Sequence, residues 1–174
     1  MLFRSTATFN FSGGTLRPYS ANTVIGSSTA ASNFTITLTG TGATLSGLDA
    51  AAGTARTLTM LTPLVDGTAA GALTIAGGTV TLSAANTYSG TTSINAGTLA
   101  LTGAGAIAST GAVNAAASGA TFDISGITAS SLTIGSLSGS AGSVVTLGTK
   151  SLTVGRSEEH TSELQSRQYL VCRL

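Results

Sequence analysis

Apolar and polar residues alternate in short runs along most of the chain. Phe34-Thr35-Ile36-Thr37-Leu38-Thr39, Leu73-Thr74-Ile75 and Val80-Thr81-Leu82 place an aliphatic or aromatic residue at every second position, with Thr between. A period of two is that of a β-strand with one face buried. Thr, Val and Ile are stiff at the first side-chain torsion, which suits the pleat. Between the runs lie clusters of Gly, Ser and Asn, residues that turn a chain at low cost. No stretch of about ten residues or more carries the 3.6-residue period of a helix. The Ala-rich pieces Ala50–Ala52 and Ala115–Ala117 are too short and too close to Gly to propagate one. The pattern predicts an all-β chain of many short strands.

The runs also repeat. Gly78-Thr79-Val80-Thr81-Leu82 resembles Gly97-Thr98-Leu99-Ala100-Leu101, and looser copies start at Gly119 and Gly142, at intervals of 19, 22 and 23 residues. Shorter units close on Gly: Leu132-Thr133-Ile134-Gly135, Val145-Thr146-Leu147-Gly148 and Leu152-Thr153-Val154-Gly155. Such units suit a parallel β-helix with one unit per coil, or an antiparallel sandwich or barrel. The β-helix is favoured for three reasons. The units align by strand sequence, as stacked positions do. The inward residues are mid-sized aliphatics that fill a narrow core. Charges are scarce, and coils spaced ~4.8 Å apart would set like charges in repelling rows. At about 22 residues per coil, the 150 residues Thr6–Gly155 predict roughly seven coils and a rod roughly 30–35 Å long. The two ends of such a rod leave sheet edges exposed.

Composition changes the picture at the termini. Of 174 residues only 7 % are charged, 23 are Gly, and the formal net charge is +1. This gives no electrostatic footprint for nucleic acid, and no apolar run is long enough for a membrane-spanning helix. The segment 6–155 holds only Arg17, Asp49, Arg56, Asp66, Asp123 and Lys150, whereas the last 19 residues hold six charges, the one His (His160) and the one Cys (Cys172). The stretch from Arg156 to Ser166, RSEEHTSELQS, resembles a short-read sequencing adapter translated in one frame. Met1 to Ser5, MLFRS, resembles the same adapter read from the opposite strand. Residues 1–5 and 156–174 are therefore expected to be adapter-like additions, the second disordered or a short helix, and are set aside from fold reasoning. This reading requires codons 156–160 to be the reverse complement of codons 1–5. His160 and Cys172 make no metal site, since a structural zinc wants about four ligands.

One segment carries a family resemblance. The segment of about 78–101, with Gly78-Thr79-Val80-Thr81-Leu82, then Asn86-Thr87-Tyr88-Ser89-Gly90, then Thr92-Ser93-Ile94-Asn95-Ala96-Gly97-Thr98-Leu99-Ala100-Leu101, resembles the autotransporter-associated β-strand repeat. Departures are Val80 for Leu and Ala85 where Gly is frequent. The segment from Ile134 to Gly155 resembles the spacer between such repeats. The resemblance implies a right-handed parallel β-helix (a β-solenoid) that is a fragment of the passenger of a type V secreted protein. It implies display at the bacterial cell surface, a role in passenger folding and export, and an adhesin as the whole. The implied partner is the protein's own C-terminal outer-membrane barrel, with host or surface ligands as a further class and no nucleic acid.

Candidate chemistry is sparse, and the expectation is no catalytic, cofactor-binding or metal residue, and no cofactor. The alternative is a carbohydrate-active β-helix enzyme, which needs clustered carboxylates or a base beside a metal-binding Asp. Asp49, Asp66 and Asp123 are the only carboxylates in 6–155, and each reads as a turn residue, as Asp66-Gly67 shows. No His lies there to activate a Ser or Thr. The triplets Thr37-Leu38-Thr39, Thr57-Leu58-Thr59 and Thr79-Val80-Thr81 raise an ice-binding Thr ladder, against which stand their unequal spacing and the general fitness of Thr for strands. Asn86 and Tyr88 read either as a recognition patch or, as favoured here, as structural residues: Asn86 in a turn, Tyr88 with its ring packed at a coil corner.

Overall fold

The structure is a computed structural model that describes residues 7–26, 34–155 and 162–164. These residues form strands and connecting turns with no helix, stacked in parallel as a β-solenoid of about six turns. Each coil makes three runs, and equivalent runs of successive coils stack into three faces. The first coil contributes β1 (Ala7–Phe11), β2 (Thr15–Leu16) and β3 (Thr23–Ile25), and the second β4 (Phe34–Leu38), β5 (Ala43–Leu45) and β6 (Thr57–Met60). The third holds β7 (Leu64–Asp66) and the long β8 (Leu73–Leu82), and the fourth the long β9 (Thr92–Gly103). Then follow β10 (Ala112–Ala115) and β11 (Thr121–Ile127), β12 (Ser131–Ile134), β13 (Ser136–Gly139) and β14 (Val144–Thr146), and finally β15 (Ser151–Val154) and β16 (Ser162–Leu164).

The period-two alternation decides what each strand buries. On the second face Leu16, Leu45, Ile75, Ile94 and Ala115 stack in register. On the third, Leu58, Val80, Leu99, Phe122 and Val145 do the same. From Leu45 and Leu58 onward these columns are almost wholly shielded from water. Fully burying one such aliphatic is worth about 1.5–3 kcal/mol, and every coil lends its side chains to the coils above and below. The intervening Thr, Ser and Asn face outward, partly exposed.

Coil length differs from the uniform value expected. Thr79 pairs with Thr98 and Thr98 with Thr121, close to the repeat intervals in the sequence. Ala7, however, pairs with Phe34, and Thr23 with Leu58. The two N-terminal coils are longer, so the chain closes about six turns and not seven. One cause is the excursion from Leu48 to Ala55, which pair antiparallel outside the stack.

β8 and β9 run through two faces without a break and join them into one ten-stranded sheet. They turn the corner at Gly78 and Gly97, with φ of 60° and 74°. A Cβ on Gly97 would land on the backbone of Gly78, and one on Gly78 on the backbone of Gly47. Gly78 and Gly97 are thus each required twice over, by backbone conformation and by contact between coils.

Of the stretch 156–174, for which the sequence predicts disorder or a short helix, the structure describes only Ser162–Leu164, a strand paired antiparallel with β15. The physical reason is the open edge of β15, whose backbone donors and acceptors otherwise face water. The remainder of 156–174, and residues 1–5, lie outside the described residues.

Gly97→Ala is expected to lower unfolding free energy by about 2–4 kcal/mol, combining left-handed backbone strain with overpacking. Gly53→Ala, at a φ of 66° with open space around it, is expected to show only the backbone part, about 1–2 kcal/mol. Thermal or urea unfolding of the two variants measures the difference.

Candidate functional site

Within the fourth coil the first face is an irregular segment, Ala84–Thr91, lying between β8 and β9. It carries the Asn-Thr-Tyr signature, and its geometry follows from needing partners on both sides. Asn86 is 4 % exposed. Its side-chain oxygen accepts from the Leu64 amide at 3.0 Å, one coil back. Its side-chain nitrogen donates to the carbonyl of Ala106 at 2.8 Å, one coil forward, and to that of Ala84 at 2.8 Å. Its own amide donates to Ala106 at 3.1 Å, and the Thr87 amide to the carbonyl of Leu64 at 3.0 Å. One amide side chain therefore fastens three consecutive coils where no regular strand does so. It carries an acceptor and a two-proton donor at the required reach, whereas an ionised Asp only accepts and Ser offers a single, shorter hydroxyl.

Tyr88 follows and is fully buried. Its hydroxyl lies 2.8 Å from that of Thr92, also fully buried. Thr92 stands in the inward column Ala43–Leu73–Thr92–Val113, where its neighbours are apolar. The pair is self-satisfying, as a buried polar pair must be. Burial pushes the Tyr88 phenol well above its usual range, against a smaller opposing effect of the Thr92 hydroxyl, so it stays protonated. The ring is packed inside the solenoid, which is the structural role expected, and it offers no surface for recognition.

Beside this clasp, Asp66 joins two of these three coils. It accepts from the Gly71 amide at 2.6 Å, the Ser89 hydroxyl at 2.6 Å and the Ser89 amide at 3.0 Å. Burial pushes its carboxyl up, but the hydrogen bonds from Gly71 and Ser89 together outweigh this and hold it below its ordinary value. Sequence reasoning placed Asp66 in a local turn and missed the link to Ser89. The signal was present in the spacing, since Ser89 follows Asp66 by 23 positions, one repeat interval.

The other carboxylates are used elsewhere. Asp49 accepts from the Ala52 amide at 2.7 Å, the Thr54 amide at 3.4 Å and Arg56 Nε at 3.1 Å, closing the excursion that begins at Leu48. Asp123 accepts from the Ser125 amide at 2.9 Å, at a register shift between β11 and β9. The structure brings these three residues into three separate hydrogen-bonding roles and does not assemble them. Among the described residues no three His, Cys, Asp or Glu side chains come together; His160 and Cys172 lie outside them.

The Thr triplets divide. Thr57, Thr79, Thr98 and Thr121 stack in one outward column of the third face, since differences in coil length absorb their unequal spacing. Thr37 lies on the first face, paired with Asn10 and Val65. The three triplets thus form no single ladder.

Residues 77–101 match the model of a family described as the passenger-associated-transport-repeat. The match spans the corner glycines, Asn86 and Tyr88. Together with the β-solenoid it fits an autotransporter passenger repeat protein. Neither the curated proteins nor the solved structures contain a match to the chain.

Tyr88→Phe is expected to destabilise the fold by about 1–3 kcal/mol, because the Thr92 hydroxyl is left buried without its partner. Adding Thr92→Val is expected to restore much of that loss, and a double-mutant cycle by denaturant unfolding measures it. For Asp66, a carboxyl held lower in the folded than in the unfolded chain contributes stability that is complete above the unfolded value, about 3.9. That contribution is lost as pH falls through the folded value. Stability measured from pH 6 downward is expected to decline below about pH 4, with a shallower decline in Asp66→Asn.

Proposed function

We propose that the segment 6–155 is a stalk of an autotransporter passenger, and that its transport repeat holds three coils in register while the chain folds outside the cell. The observation that carries this is the coincidence of the family match, residues 77–101, with the segment where Asn86 bonds to the coils before and after it. A solenoid grows by adding coils to neighbours. At the irregular first face the backbone offers only an isolated bridge between Ala85 and Ala106 and a few single bonds across coils, so a side chain reinforces the pairing. On this reading the repeat assists folding and export, the solenoid displays more distal regions at the cell surface, an adhesin among them, and the partner in the membrane is the protein's own outer-membrane barrel. We propose further that residues 1–5 and 156–174 are adapter-derived, which the complementarity of their codons decides.

The test is a surface-yield assay in a passenger that carries this segment upstream of its barrel. Asn86→Ala leaves the Leu64 amide without its acceptor and removes a donor to Ala106, at a cost of about 1–3 kcal/mol. The expected result is a severalfold drop in protease-resistant passenger at the surface, with the barrel still inserted. Unchanged yield and unchanged protease resistance would sink the proposal.

A further inference from the structure

One corner of the solenoid is larger than its fold requires. Leu45, Ile75 and Ile94 are registered with one another, and so are Thr57, Thr79 and Thr98. The third and fourth coils cross from the one column to the other by a short turn at Gly78 and Gly97. The second coil takes the whole stretch from Ser46 to Arg56 to cover the same ground. Ordering Ala50–Ala55 costs conformational entropy, and all of these residues are exposed, so they add nothing to the core. In a repeat scaffold the face that carries insertions is often the binding face.

The excursion is tied down on itself and to its neighbour. Asp49, 2 % exposed, gathers the Ala52 and Thr54 amides and Arg56 Nε. The Ala50 and Ala51 amides donate to the carbonyls of Pro18 and Tyr19 at 2.8 and 3.0 Å, and the Thr57 amide donates to Asn22 Oδ1 at 2.9 Å. The loop from Arg17 to Asn22 in the first coil thus lies against the excursion of the second. Together they carry Arg17 and Arg56, two of the three cations in 6–155. The ion pair engages Arg56 through Nε, and its side chain is 37 % exposed, so the fork still has donors to offer. Arg17 is exposed, and Tyr19 is 76 % exposed, the most of any large apolar or aromatic side chain among the described residues.

We propose that this corner binds an acidic sugar chain, its arginines holding carboxylate or sulfate groups and Tyr19 lying against a pyranose ring. The chemistry selects this class. A guanidinium pairs with such an oxyanion through two parallel N–H bonds. A tyrosine ring offers a rigid apolar face at low entropic cost, and a pyranose has a matching face of C–H groups. Ser20, Asn22 and Thr54 are exposed beside it and suit the hydroxyls of a sugar. Two cations are too few for duplex nucleic acid, whose binding rests on many phosphate contacts. An acidic peptide would use the arginines and leave the ring idle. The corner stands apart from residues 77–101, so its test does not depend on the part the repeat plays in export.

Calorimetric titration of the full chain with oligogalacturonate, with a sulfated dextran oligomer and with the unsulfated dextran tests this. At least one acidic sugar is expected to bind and the neutral one not, and the tighter of the two acidic sugars identifies the oxyanion taken. Arg17→Gln, Tyr19→Ala and Arg56→Gln are each expected to weaken binding at least about fivefold. Lys150→Gln, at a cation elsewhere, is expected to leave it unchanged. Arg56 also steadies the excursion, so the exposed positions Arg17 and Tyr19 decide the matter if Arg56→Gln unfolds. Absence of binding by both acidic sugars would overturn the proposal. So would binding that survives Arg17→Gln and Tyr19→Ala together, or polyglutamate binding as tightly as the sugars with no loss in Tyr19→Ala.

Discussion

In the stacked strands each backbone group meets its counterpart of the next coil about 4.8 Å away, and that repeat distance governs the rest. It leaves space between coils for a hydrogen bond and little else. At the corner of the second and third faces even a methyl group is excluded, so Gly47, Gly78 and Gly97 stand one above another. The same distance makes like charges costly on outward columns, where their separation cannot be relaxed. Of the three carboxylates in 6–155, only Asp123 occupies such a column, among Thr59, Thr81, Ala100 and Thr146. Asp49 is at the base of an excursion, and Asp66 ends β7, where three donors converge on it. Scarce charge is thus a consequence of stacking.

How much of this was legible depended on whether the information lay within a strand or between coils. Alternation in Leu73-Thr74-Ile75 and Val80-Thr81-Leu82 specified the strands and their buried faces, since it is a property of one run. The repeat from Gly78 to Gly142 specified coil length there, because each unit closes on itself. The longer N-terminal coils escaped, as the excursion around Asp49 interrupts the interval without disturbing the strands on either side. The Thr column from Thr57 to Thr121 escaped for the converse reason: its spacing in sequence is uneven, but the corners absorb the difference. Ser162–Leu164 has no apolar period to announce it, for what holds that strand in place is the unpaired edge of β15.

The roles of Asn86 and Asp66 were only half legible for a related reason. A turn residue and a residue that crosses coils look alike in sequence when the crossing partners are main-chain groups of Leu64 and Ala106 or a serine one interval away. Thr92 carried the better clue. It is a polar residue at an inward position, four residues after a Tyr, and a buried hydroxyl there demands a partner.

That the clasp reads main chain also accounts for the shape of the family match. The asparagine bonds the amide of Leu64 and the carbonyl of Ala106, and neither bond depends on which side chains those residues carry. A repeat built this way needs from its neighbours only a free amide, a free carbonyl and a backbone close enough to reach. Coils on either side are then at liberty to vary in length and sequence so long as their inward columns stay apolar. A short, strongly patterned segment set among coils that share little beyond alternation is the expected outcome. It is also what this chain presents, with 77–101 matched and the longer coils before it following their own spacing.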